Sequence, residues 1–307
     1  MAGLTSSVST GRSPLLTVQG LTHAFEKDRP LFDNLNFTVY AGEFVALLAP
    51  SGMGKTTLFR LLAGLLTPQS GTIALGAAPG GSDTDAGNSV ARSAPLGKIG
   101  YMPQRDCLMP WRTVLDNAAL GLELQGLSLR EARRQVLELL PAFGLEGTQH
   151  KYPHELSGGM RQRVSFVRSL LGGGDVLLLD EPFSALDAMM RVTMQEWLLK
   201  VWERHRKTIL FITHDVDEAL LLADRVLISA RSPVTVMNEL IVDLPRPRAY
   251  EAVLDERFLR LKRQALQWLG REAGNRAGGG KPADAPRADV VAASRLVPDG
   301  RTGGGGT

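Results

Sequence analysis

The stretch "FVALLAPSGMGKTTLFRLLAGLL" (44–66) decides how this chain is read. An apolar run ends at Ala49, a short turn follows, and leucines then recur at 58, 61, 62 and 65. The first run predicts a strand buried on both faces, because it carries no polar residue on either side. The leucines predict an amphipathic helix, because i, i+3, i+4 and i+7 share one helix face. Between strand and helix, Gly54-Lys55-Thr56 supplies the last three positions of the phosphate-loop pattern G-x-x-x-x-G-K-[ST]. Such a loop works because successive backbone N–H groups curl around phosphate oxygens at the positive end of a helix. Gly52 and Gly54 give the backbone unusual φ angles and close approach. Lys55 reaches the β- and γ-phosphates, Thr56 can ligate Mg²⁺, and Pro50, Ser51, Met53 and Thr57 complete the cradle. The first glycine of the pattern is absent, and Ala49 stands in its place. A negative φ there tolerates alanine and trims unfolded-state entropy by about 0.4–1 kcal/mol. A positive φ would instead store strain of about 1–3 kcal/mol.

Two more apolar runs, "VLLLD" (176–180) and "TILFIT" (208–213), alternate with helix-like segments. That alternation predicts an α/β fold. "DVLLLDEP" (175–182) is a buried strand ending in two carboxylates. Asp180 at the strand end suits a Mg²⁺ shell. Glu181, one residue on, points differently and can orient or deprotonate a water, as hydrolysis in line with a γ-phosphate requires. Ser157 is a good N-cap for the helical run of Val164, Val167 and Leu171, leaving that helix's first N–H groups free for an anion.

The bulk numbers exclude little but bound the rest. The chain has 307 residues, 44% hydrophobic and 22% charged, with a formal net charge of +3. So small an excess is no electrostatic argument for nucleic acid. No apolar run approaches the ~18–20 residues that span a bilayer, and "MAGLTSSVSTGRSP" (1–14) lacks the apolar core of a secretory signal. Cys107 is the single cysteine and cannot form an internal disulfide. His23, His150, His154 and His205 show no metal-ligand spacing. Residues 1–13 and 271–307 read as disordered, the latter Gly-, Ala- and Pro-rich. Residues 76–97 read as a loose surface insertion.

The order of motifs resembles the ATP-binding cassette (ABC) transporter ATPases over about residues 14–245. The phosphate loop comes first, then "MPQ" (102–104), "LSGGM" (156–160), "LLLDEPFSALD" (177–187) and "ITHD" (212–215). The resemblance implies a P-loop, RecA-like core with an antiparallel β subdomain and an inserted α-helical subdomain at about 106–165, in an ATPase domain of 14–265. It implies ATP and Mg²⁺ as cofactors. Phe25 would stack on adenine, with core packing as the other reading of that ring. Gln104 would touch Mg²⁺ or the attacking water. Ser157, Gly158 and Gly159 would contact the γ-phosphate bound on a second copy of the chain. Asp187 would lie in the loop coupling the two sites, and His214 would contact the γ-phosphate and hold Glu181.

"LMPWRTVLDN" (108–117) and "EPFSALDAMMRVTMQEWLLKVW" (181–202) are similar to the importers of nitrate, sulfonates, taurine and pyrimidine precursors, with a slight lean to the last. The resemblance then implies transmembrane permease subunits as partners, a separate extracytoplasmic solute-binding protein, an ATP-sandwich dimer, no nucleic acid, and a peripheral place on the cytoplasmic face of the inner membrane. Trp111 reads either as part of the permease groove or as core. Met190, Met194, Trp197, Leu198 and Val201 read as a core stripe. Two alternatives remain: an ATPase of the same family acting without a membrane, or a weakly active regulatory nucleotide-binding subunit.

Overall fold

The computed structural model describes residues 12–26, 29–76, 99–229 and 231–274. The expected disorder of 1–11 and 275–307 and the insertion expected at 76–97, beyond Gly76, lie outside the described residues.

Two sheets carry the fold. β1 (Pro14–Glu26), β2 (Arg29–Tyr40) and β4 (Ser70–Leu75) form an antiparallel sheet in the order β2-β1-β4. The larger sheet runs β5-β6-β7-β3-β8-β9, from β5 (Ile99–Met102), β6 (Val176–Asp180), β7 (Thr208–Thr213), β3 (Phe44–Leu48), β8 (Arg225–Ile228) and β9 (Asn238–Ile241). Its first five strands are parallel and β9 closes the edge antiparallel. Every residue of β3, β6, β7 and β8 is buried, as strands covered on both faces must be. Alternation along β3 divides the core. Phe44, Ala46 and Leu48 face one apolar cluster with Phe211 and Trp202, while Val45, Leu47 and Ala49 face another with Val18, Phe32 and Leu58.

The helix α1 (Lys55–Leu62) follows the phosphate loop. Leu58, Leu61 and Leu62 are buried, but Leu65 lies past the helix end and is exposed. The stripe was expected to run to 65; Gly64, at φ 72°, turns the chain out of the helix first. Burying each of the three leucines contributes about 1.5–3 kcal/mol. That far exceeds the few tenths of a kcal/mol, roughly, forgone because the N-cap, Gly54, has no side chain to offer.

Between β5 and β6 lie α2 (Val114–Leu124), α3 (Leu129–Leu139) and α4 (Gly158–Leu171). Thr113, Ser128 and Ser157 cap them, each accepting the N–H three residues on. α2 and α4 approach so closely that a Cβ at Gly121 would sit 2.2 Å from the Cα of Gly172. Beyond β6 come α5 (Ala188–His205), capped by Asp187, and α6 (Val216–Leu222), capped by Asp215. Met194 and Leu198 of the α5 stripe are buried, and Met190 and Trp197 pack against the core. α7 (Glu256–Gly274) closes the described chain and runs four residues into the tail expected to be disordered from 271. No helix among the described residues is long and apolar enough to cross a membrane.

Candidate active site at the strand ends

In a parallel sheet, ligand sites form outside the carboxyl ends of the strands. Here the candidate residues leave four adjacent strand ends. The phosphate loop follows β3, Asp180 and Glu181 end β6, His214 follows β7, and Gln104 follows β5. The sheet order β5-β6-β7-β3 brings together residues that lie far apart in sequence.

In the loop, Gly52 and Gly54 both adopt left-handed φ, 80° and 78°. A Cβ at Gly54 would meet the Phe32 ring at 3.1 Å, so space as well as φ calls for glycine there. Ala49 is not among the described residues of positive φ, and its methyl is buried. The strained alternative is therefore excluded. The group used at position 49 is the backbone carbonyl, which accepts a 2.7 Å hydrogen bond from Lys55 Nζ; Pro50 O accepts another at 3.0 Å. Burial lowers the Lys55 pKa, with Glu181 and Asp180 opposing it. Pro50, Gly54, Thr56 and Thr57 are half-buried, Met53 is buried, and Ser51 and Gly52 face solvent.

Asp180 is buried, and burial pushes its carboxyl up, against a hydrogen bond from Thr56. Its Oδ2 is buried with no protein partner. A buried carboxylate oxygen left open beside a threonine hydroxyl fits a hard divalent cation, which takes oxygen ligands.

Glu181 sits at φ 50°, a left-handed angle for a non-glycine residue, costing about 1–3 kcal/mol. Its backbone is held on both sides. Its N–H donates to Ile212 O at 3.1 Å, and its carbonyl accepts from Gln162 Nε2 at 3.1 Å and from the Ser184 hydroxyl at 2.9 Å. The turn aims the side chain away from the strand. Its Oε2 then accepts from Gln104 Nε2 at 3.1 Å, and its Oε1 lies 3.5 Å from His214 Nδ1. Gln104, Glu181 and His214 thus form one contact group, with the carboxylate largely covered and the imidazole exposed. A cavity of about 60 Å³ adjoins Glu181 and His214, lined also by Ser184, Arg191, Thr213 and Glu218, roomy enough for water.

The remaining candidates lie apart from this group in their hydrogen bonding. Ser157 Oγ accepts from Met160 N, Gly159 O accepts from Arg163, and Asp187 Oδ1 accepts from Met190 N. Ser157, Gly158 and Asp187 are exposed. Phe25 is 67% exposed, edge-on to His23, which removes its core reading. Trp111 is 73% exposed, which removes the core reading there too.

Several contributors carried no sequence signal as single residues. Gln162 and Ser184 hold the Glu181 backbone, and Thr213 accepts from Asp215 N at 3.0 Å beside the buried Glu218. Gln162 lies inside "LSGGMRQR", and only that position in the motif could have pointed to it.

Residues 32–184 match the family described as ABC transporter. The chain is 41% identical over 261 residues to the formylaminopyrimidine import ATP-binding protein of Halalkalibacterium halodurans, covering 84% of this chain and 98% of that one. It is 43% identical over 233 residues to an aliphatic sulfonates import ATP-binding protein of Rhodococcus jostii, covering 76% and 85%. Among solved structures it resembles a dimeric ATP-binding cassette in a post-hydrolysis state with ADP and Pi, at TM-score 0.63 and 26% identity, covering 75% of this chain and all of that one.

Proposed function

The chain belongs to the ABC transporter family, and from that membership we propose that it is the ATP-hydrolysing subunit of an importer of a small solute. The names of its relatives favour the sulfonate, taurine, nitrate or pyrimidine-precursor class. They also disfavour both alternatives, a membrane-independent ATPase and a regulatory subunit. The observation that carries the reading is the contact group at Glu181.

The residues act as follows. The backbone N–H groups of 51–57 and the Lys55 ammonium bind the phosphates, with Pro50 shaping the loop, and the exposed face of Phe25 stacks the adenine. Thr56, Asp180 and Gln104 would hold Mg²⁺, which when bound offsets phosphate charge. Glu181 accepts a proton from the attacking water, and Gln104 and His214 fix the carboxylate in line. Ser157, Gly158 and Gly159 need a γ-phosphate held by a second copy, since Ser157 and Gly158 face outward at the start of α4 and Gly159 is half-buried beside them. Asp187, also exposed, caps α5. Binding of two ATP at this head-to-tail interface favours the closed dimer, because only that state completes the contacts. Closure drives the permease subunits; an extracytoplasmic binding protein supplies the solute; the chain works as a peripheral subunit at the cytoplasmic side.

Replacing the base tests this. Glu181→Gln keeps ATP binding but lowers phosphate release at least about 100-fold, the low end for a general base. Hydrolysis at the parent rate would remove Glu181 from its role.

A further inference from the structure

Gln104 reaches Glu181 from a segment that is itself fastened elsewhere. Two residues on, Asp106 Oδ2 accepts a 3.0 Å hydrogen bond from Arg161 Nε, and Arg161 also donates to Leu156 O at 2.8 Å. The other Asp106 oxygen accepts from Leu108 N at 3.1 Å and shapes the local turn. Arg168 donates to the carbonyls of Asp106 and Cys107, both at 2.8 Å. Those bonds hold Cys107 at φ 46°, a left-handed angle for a non-glycine residue. Arg161 and Arg168 are both on α4, the helix that Ser157 caps. Seven residues apart, they share a face about two turns long. Arg161 lies one turn, about 6 Å of rise, from Ser157.

The contacts therefore join two parts of the site that hydrogen bonds do not otherwise link directly: the Gln104 segment and the first turn of α4. The Arg161–Asp106 pair is only about one-third exposed on either side. It is shielded more than a surface pair, and each arginine is also anchored to the backbone, so the pair has a defined geometry.

We propose that Asp106 is a positioning residue that latches the Gln104 segment to the start of α4, so that Gln104 and Ser157 reorient as one body during the ATP cycle. The proposal rests on the reading of this chain as an ATPase with Gln104 and Ser157 in its site. Without the latch, Arg168 still ties the segment to α4 about two turns further on, but the first turn is released from it, so the Glu181 end and the Ser157 end reach their bound positions together less often. ATP affinity, set mainly by the phosphate loop, stays.

The test is a double-mutant cycle on the full chain, with steady-state hydrolysis read as kcat and KM for Mg²⁺–ATP. Asp106→Asn keeps the acceptor for Leu108 N and loses the charge. We expect it to lower kcat at least tenfold with KM within twofold. Arg161→Ala should do the same. The double variant should be no slower than the worse single variant, within twofold, because one latch is broken once. Asp106→Glu, which restores the carboxylate, should recover kcat to within threefold of the parent. An unchanged kcat in Asp106→Asn, losses that multiply in the double variant, or no recovery in Asp106→Glu would overturn the latch. Thermal midpoints of all variants keep loss of folded protein from counting as loss of the latch. If the parent hydrolyses no ATP, or Glu181→Gln hydrolyses it at the parent rate, the underlying reading fails instead, and the two failures are told apart.

Discussion

Ala49 looks like a defect in the phosphate loop until its backbone is seen. Its methyl belongs to the core behind the loop, and what faces Lys55 is its carbonyl, which any residue supplies. Ala49→Gly should therefore change ATP affinity less than tenfold, about 1.4 kcal/mol, when measured by nucleotide titration. It should also lower stability by at least about 0.4–1 kcal/mol, since glycine adds freedom to the unfolded chain. A much larger gain in affinity would mean the alanine holds the loop in an unfavourable shape. Glu181 is the opposite case. Its strained φ is kept by the hydrogen bonds on its N–H and carbonyl and aims the carboxylate at Gln104 and His214. "DEP" announces two acids, but nothing in it reveals that the second one turns into the left-handed region. That angle is imposed by Ile212, Gln162 and Ser184, from other parts of the chain.

Among the elements, α2 and α4 depend on a backbone approach at Gly121 and Gly172. A methyl at 121 has no room and its neighbour is backbone, which cannot swing aside. Gly121→Ala should destabilise the chain by about 1–3 kcal/mol as overpacking does, even though alanine is the better helix former by up to about 1 kcal/mol. Denaturant unfolding checks the sign; a stabilised variant would show that the helices can part freely. α6 carries a second case. Glu218 is buried and accepts from Gln195 Nε2 at 2.9 Å, with Thr213, Asp215 and Arg191 around it. Burial pushes its carboxyl up, so the native state keeps the proton at a pH where the unfolded chain has lost it. Stability then falls as pH rises from the ordinary carboxylate range through the raised native value. Glu218→Gln lacks this term. Its stability relative to the parent should grow across that window, as read in denaturation series at stepped pH. A constant difference would remove the carboxylate as its source.

At the scale of the whole molecule, the candidate site lies at the carboxyl ends of the strands, and every candidate residue precedes β8. Ending the chain after Gly274 should accordingly leave ATP hydrolysis within about twofold of the parent. The rate of phosphate release checks this, and a large loss would bring the tail into the mechanism. The cut belongs after 274 rather than 270, because α7 continues to Gly274 and anchors through Phe258 and Ala265. Much of this architecture was legible in the sequence, because strands buried on both faces are continuously apolar and a phosphate loop needs its glycines and lysine in one short run. Those are local demands, met within a few residues, and so the motifs alone determined the family, the fold and the candidate residues. The sequence left Ala49, Phe25 and Trp111 open, since backbone angle and exposure depend on what packs against them. Only the tertiary structure decided those, along with the contact of Gln104 and His214 on Glu181 and the fastening of Asp106 to α4. Each joins residues tens of positions apart, and it is the order in which the strands pair that brings them within a hydrogen bond of one another.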